Sequence, residues 1–149
     1  MSPAEIYEKA KKQHDQNLQR LLIVEDNDEL RNYLTHTLSD NYTIQTCSNG
    51  KEALTIVKEY MPELIISDIM MPVMDGYQAA RAIRGSGKKD AETIPIIAMT
   101  ANAFSEDIMD SRLAGMDIHL AKPLDEAKMI NALKQCIAER SAVKLRNDL

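Results

Sequence analysis

LIISDIMMPVMDGY, residues 64–77, sets an apolar run against a single carboxylate, Asp68, and follows it with a turn rich in Met and Pro. A short continuous run of aliphatic residues is the mark of a strand covered on both faces. A carboxylate closing such a strand is costly to hold unless something binds it. The order of elements around this stretch shows what the chain brings to it.

Upstream, LLIV (21–24) is another continuous apolar run, and YTIQTC (42–47) alternates in the manner of a strand nearer a sheet edge. Between them Leu30, Leu34 and Leu38 repeat at helical spacing, with Asp28 as the cap. Ser48 or Asn49 caps a second helix, which turns Ala53, Val57 and Tyr60 inward and ends at Pro62. Downstream, Tyr77 to Arg84 predicts a short helix carrying Ala80 and Ile83, and GSGKKD (85–90) a flexible polar loop. IPIIAMT (94–100) is the fourth strand. Ser105 caps a helix bearing Ile108, Met109 and Leu113, which Gly115 stops. DIHLA (117–121) is the fifth strand, and Met129, Ile130, Leu133 and Ile137 mark a last helix. Strands alternating with helices predict a doubly wound parallel α/β sheet, its right-handed crossovers placing helices on both faces.

Residues 3–19 are charged, with Pro3 at a first-turn position and a thin apolar stripe of Ile6, Ala10 and Leu18. They are expected to form a solvated helix or linker. The tail from Ser141 has little apolar periodicity and is expected to fray. The division expected is 1–19 as lead-in, 20–140 as one domain and 141–149 as tail. A chain of 149 residues, 44% hydrophobic and 28% charged, suits one soluble core. Its net charge of −5 argues against direct nucleic-acid binding. No apolar run is long enough to enter and cross a bilayer, and MSPAEIYEKAKKQ lacks the apolar centre of a signal peptide, so a cytoplasmic protein is expected. Cys47 and Cys136 lack metal spacing and are expected to be buried and reduced. Most of the nine methionines fall at apolar positions and are expected to fill the core.

In an open parallel sheet, ligands sit at the carboxyl ends of the strands. Strand one ends in Glu25-Asp26, strand three in Asp68, strand four in Thr100 and strand five in Lys122-Pro123. Strand two ends in Cys47-Ser48 and offers nothing comparable. Three carboxylates brought together raise one another's pKa. A divalent cation and a lysine relieve that conflict, and Mg²⁺ suits hard oxygen ligands completed by water. A phosphoryl group then fits between the cation, the Lys122 ammonium and the Thr100 hydroxyl, with Asp68 as the nucleophile.

With LLIVEDN, IISDIMMPVMDG, IIAMTAN and HLAKP in that order, each at a strand end, residues 21–138 resemble the receiver domain of two-component response regulators. The resemblance implies a flavodoxin-like fold, five parallel strands in order 2-1-3-4-5 with five helices, here behind an N-terminal helical extension. It implies Asp68 as phospho-acceptor, Asp26 as direct metal ligand, Glu25 reaching the metal through water and Met70 lending its backbone carbonyl. Thr100 becomes the switch hydroxyl, Lys122 the phosphate-pairing lysine, and Lys122–Pro123 a cis peptide. The cofactor implied is Mg²⁺, with Mn²⁺ as a substitute. The partners implied are a histidine kinase or histidine phosphotransfer domain, together with a phosphorylation-dependent dimer. Such a module catalyses only its own phosphorylation and dephosphorylation. Two departures stand out: Glu25-Asp26 replaces the commoner Asp-Asp, and His119 replaces the usual switch aromatic with a group that can be charged. TIPIIAMTANAF and GMDIHLAKPLD look most like receivers at the ends of hybrid sensor histidine kinases. The first half is also similar to receivers of hybrids with their own output domain. With no room before Leu149 for a DNA-binding domain, the chain reads as a stand-alone receiver or one excised from a hybrid kinase.

Simpler readings of the same residues stand beside these. Glu25 and Asp26 alone would pass for helix-capping acids, and Thr100 for a hydroxyl capping the turn at Ala101-Asn102. Asp75-Gly76 reads as a turn rather than a ligand pair. His14 and His36 take no role, and the scattered Lys and Arg residues form solvated faces. By family analogy alone, His119, Leu120 and the preceding helix form a partner surface. A metal-dependent aspartyl phosphatase would need a second aspartate where Met70 stands. A degenerate scaffold would not keep Asp26, Asp68 and Lys122.

Overall fold

The runs LLIV and LIIS lie side by side at the middle of one sheet. The computed structural model describes residues 2–9, 18–101 and 105–147, so Ala10, His14 and Asn102 fall outside the described residues. After a helical stretch at 3–9 come β1 (Gln19–Val24), α1 (Asp28–Leu38), β2 (Tyr42–Cys47), α2 (Gly50–Tyr60), β3 (Leu64–Asp68) and α3 (Gly76–Arg84). A 3₁₀ turn (Lys89–Glu92), β4 (Ile96–Thr100), α4 (Ser105–Ala114), β5 (Ile118–Ala121) and α5 (Glu126–Asn147) follow. Among the described residues the five strands form one sheet in the order β2-β1-β3-β4-β5, and every neighbouring pair is parallel.

Alternation along the strands divides the core in two. Leu21, Ile23, Leu64, Ile66, Ile97 and Met99 face α1 and α5, meeting Leu34, Leu38, Met129, Leu133 and Cys136. Leu22, Val24, Ile65, Ile96 and Ala98 face the other way, onto Ala53 and Val57 of α2 and Ala80 and Ile83 of α3. Burying each large aliphatic side chain contributes about 1.5–3 kcal/mol, so β1, β3 and β4, covered on both faces, dominate the stability. β2 lies at the edge, as expected, with the adjacent Gln45 and Thr46 both exposed.

Several local expectations are corrected. Asn27, not Asp28, caps α1, its side chain accepting from the Leu30 N–H across an extended backbone; Asp28 falls inside the first turn. Asn49 caps α2, and the helix ends when Met61 turns left-handed at φ 48°. That conformation costs a non-glycine about 1–2 kcal/mol, and Arg20 offsets it with two hydrogen bonds to the Met61 carbonyl, at 3.0 and 3.2 Å. The loop expected over 85–90 is present through Lys88, and its last two residues enter the 3₁₀ turn, which buries Ala91. On α4, Met109 and Leu113 share a face, but that face looks to solvent, and the helix packs through the small residues Ser111 and Ala114. Met70 is exposed as well, so the methionines divide between core and surface. The last helix continues past Ser141 to Asn147 instead of fraying there.

Burial marks several titratable groups, the two cysteines and a histidine among them. Cys47 and Cys136 are free thiols, as expected, and burial pushes them up to about 12 and about 11 respectively. Thiolate is the reactive form of cysteine, so Ellman's reagent at pH 8 should leave both untouched in the native chain and titrate both after urea unfolding. Rapid labelling of the folded protein would contradict this burial.

His119 on β5 has its Nε2 shut from solvent without a hydrogen-bond partner. Burial first, and then the charge of Arg112, hold its pKa below the ordinary 6.5, with Asp117 opposing. The imidazole is therefore neutral at pH 7. Because the unfolded chain takes up this proton first, the stability gained is full above pH 6.5 and falls as the pH drops below it. The urea midpoint should accordingly fall more steeply between about pH 7 and 5.5 in the native chain than in His119→Phe. Parallel slopes in the two proteins would refute the assignment.

Candidate functional site

Glu25 stands one residue past β1, yet its N–H still bonds the Cys47 carbonyl at 3.0 Å, so it keeps the strand's direction into the cleft. Asp68 closes β3 in register with Met99, and the following N–H, of Ile69, bonds the Met99 carbonyl at 3.2 Å. Thr100 closes β4, buried and in register with Ala121. The Lys122 N–H reaches the Thr100 carbonyl at 2.8 Å, and the cis Lys122–Pro123 peptide is present. The strand ends thus gather the four segments that the sequence placed there.

Carboxylate oxygens of Glu25, Asp26 and Asp68 lie within 4.8 Å of one another, with Glu25 and Asp68 buried and Asp26 exposed. The Lys122 ammonium stands 3.2 Å from Asp68 Oδ2 and 3.4 Å from Glu25 Oε1. At about 4 Å a pair of unit charges is worth roughly 1 kcal/mol in water and 4 kcal/mol near a protein surface. One ammonium therefore cannot balance three carboxylates. Glu25 carries the excess: burial above all, then the Asp68 charge, pushes its carboxyl up to about 7 against the pull of Lys122. Its Oε2 is enclosed without a partner. Hard oxygen donors gathered around an unpaired buried carboxylate oxygen fit a divalent cation such as Mg²⁺.

The segment after Asp68 is held tightly. The Gly76 N–H bonds the Ile69 carbonyl at 2.8 Å, and the Gly50 N–H bonds the Met74 carbonyl at 3.0 Å. A Cβ on Gly76 would lie 2.5 Å from the Asp68 carbonyl oxygen and 2.9 Å from the Ile69 Cα, so only glycine lets α3 begin here. Asp75 caps that helix in a capping box with Gln78, a role the reading of Asp75-Gly76 as a turn did not include. Val73 is left-handed at φ 69°, unusual for a β-branched residue. Met70 lies on this segment and is 77% exposed.

Not every singled-out residue joins the cluster. His119 pairs in register with Ala98, two positions short of Thr100, and so stands back from the strand ends. His36 is exposed on α1. One participant escaped the sequence reading: Arg31 donates to the Glu25 carbonyl at 2.9 Å and pairs with Asp28. The only sequence signal was the i,i+3 spacing of Asp28 and Arg31, which equally describes a solvated helix pair.

The profile of the response regulator receiver domain matches residues 21–134. A 14.6 kDa protein encoded in the sodA1 3′ region of Leptolyngbya boryana is 37% identical over 120 residues, covering 79% of this chain and 90% of that protein. The sensor histidine kinase RcsC of Salmonella typhi is 34% identical over 119 residues; these are 79% of this chain but 12% of the kinase. Among solved structures, the receiver domain of the sensor histidine kinase PA1611 from Pseudomonas aeruginosa PAO1 superposes with a TM-score of 0.74 at 33% identity. The match covers 81% of this chain and 98% of that one, and the PA1611 domain holds a magnesium ion in its active-site cleft. With the family profile spanning the sheet and all four segments of the cluster, this chain belongs to the response regulator receiver domains of two-component systems.

Proposed function

We propose that Asp68 accepts a phosphoryl group from the phosphohistidine of a histidine kinase or histidine phosphotransfer domain. The convergence of Glu25, Asp26 and Asp68 within 4.8 Å, with the Lys122 ammonium 3.2 Å from Asp68, supports this reading. One Asp68 oxygen attacks phosphorus in line. The P–N bond to the donor imidazole breaks, its electron pair returns to nitrogen, and an acyl phosphate is left on Asp68. Lys122 pairs with one phosphoryl oxygen, and the Thr100 hydroxyl turns toward another. Asp26, Asp68, the Met70 carbonyl and, through water, Glu25 would hold Mg²⁺ or Mn²⁺, which neutralises the charge gathering on the phosphoryl oxygens.

Thr100 and His119 then pass the change to a partner-binding surface, a dimer contact included, or the group moves on to another histidine. The chain acts only on its own aspartyl group, since Met70 stands where an aspartyl phosphatase keeps its general acid. Residues 20–140 form the working unit, 1–19 lead into it and 141–149 trail it. Such a relay belongs in the cytoplasm, where ATP-fed kinases work, and a net charge of −5 suits partners other than nucleic acid. Among the described residues no helix is long and apolar enough to cross a membrane. Likeness to the sensor histidine kinase RcsC, of which the match spans a small part, supports either a stand-alone receiver or one belonging to a hybrid kinase.

Acetyl phosphate with Mg²⁺ should label the native chain, as read by a phosphate-affinity gel, and Asp68→Asn should abolish labelling. Undiminished labelling of that variant would overturn the assignment, and steady phosphate release from a generic substrate would favour a phosphatase. Met70 places an apolar side chain two residues beyond the acceptor, where it shields the acyl phosphate from water. Met70→Asn should therefore shorten the life of the phosphorylated chain severalfold in a dephosphorylation time course; an unchanged decay rate would end that reading.

A further inference from the structure

We propose that Arg31 is a positioning residue for the acidic pair, and that its hold on the Glu25–Asp26 peptide sets the cation affinity of the cluster. The proposal rests on reading that cluster as a metal site. β1 ends at Val24, and Glu25 keeps one ladder bond through its N–H, to the Cys47 carbonyl at 3.0 Å. Its carbonyl has left the ladder at a residue that is only 1% exposed. A buried carbonyl must find a donor, and the donor is Arg31 NH1, reaching back from the first turns of α1 to 2.9 Å.

The other arm of the guanidinium is braced by Asp28 Oδ1. The Arg31 side chain is 21% exposed against 80% for Asp28, so the shielded partner grips and the solvated one steadies it. The Arg31 N–H in turn bonds the Asn27 carbonyl at 2.9 Å, and Asn27 caps the helix through Leu30. Cap, guanidinium and acidic pair are therefore one unit.

This unit matters because the three carboxylates repel one another, and Asp26 alone has open solvent to escape into. With both ends of the Glu25 backbone tied, the peptide plane leading to Asp26 is fixed, which keeps its carboxylate turned toward Asp68. Arg31 works through position rather than charge, because it binds a neutral carbonyl and Asp28 meets its positive charge. A lysine would keep that charge but lose the planar fork that spans the carbonyl and Asp28 at once.

The double variant Arg31→Met/Asp28→Asn removes the hold without changing the formal charge. Calorimetric titration of the full chain with Mg²⁺ alone should give a dissociation constant raised about tenfold, the low end for residues that orient metal ligands. Arg31→Lys should fall between this and the native chain. In acetyl phosphate labelling the double variant should need about tenfold more Mg²⁺ for half-maximal rate yet reach the native rate at saturation. A merely loosened fold would lower the saturating rate instead, and that result would overturn the proposal. Binding within about twofold of native by a cooperatively unfolding double variant would also overturn it. Should the double variant fail to fold, Arg31→Lys decides, and native affinity there refutes the proposal. A native chain that takes up no Mg²⁺ would remove the metal reading and this assignment together.

Discussion

The Lys122 ammonium lies between Asp68 and Glu25, 3.2 Å from one and 3.4 Å from the other, and joins carboxylates from two strands to a lysine from a third. Nothing else described in the cleft offsets their charge at such close range. A buried carboxylate left without a partner is expensive, and three together more so. The parallel order β2-β1-β3-β4-β5 makes the arrangement possible, because every strand delivers its C-terminal residue to the same edge. The fold carries the charge cluster, and the lysine makes the cluster bearable.

The lysine does not settle it fully. Glu25 remains the strained member, displaced toward neutrality by burial and by Asp68, with one oxygen enclosed and unpaired. The charged form of Glu25 favours a cation nearby, while burial favours the neutral form. The two pulls act on one side chain. Glu25 lies against Lys122 through Oε1, at 3.4 Å, and leaves Oε2 as its enclosed oxygen.

How much of this was legible in the sequence follows from the physics of each element. Continuous aliphatic runs as short as LLIV and LIIS, between turn signals, favour a strand covered on both faces over a helix, and they placed β1 and β3 within a residue or two. The polar residues closing four strands were legible for the same reason, since a sheet leaves them nowhere else to go. Periodicity was weaker on α4. There Met109 and Leu113 keep helical spacing, but small residues at 111 and 114 govern the contact, and size is invisible to an apolar stripe. The cap of α1 depends on the backbone angles of Asn27, which neighbouring Asn and Asp residues leave ambiguous. Arg31 was hidden because its partner is a carbonyl, and main-chain acceptors carry no sequence signature.

The absence of a side chain at Gly76 has a mechanical consequence. With the start of α3 pressed so closely on the Asp68 main chain that a methyl group would overlap it, no slack separates the two. The Gly76 N–H also bonds the Ile69 carbonyl at 2.8 Å, so the strand end and the helix start meet main chain to main chain with no side chain between them. The joint trades sequence tolerance for closeness: any larger residue would have to hold the two segments apart, and glycine lets them touch.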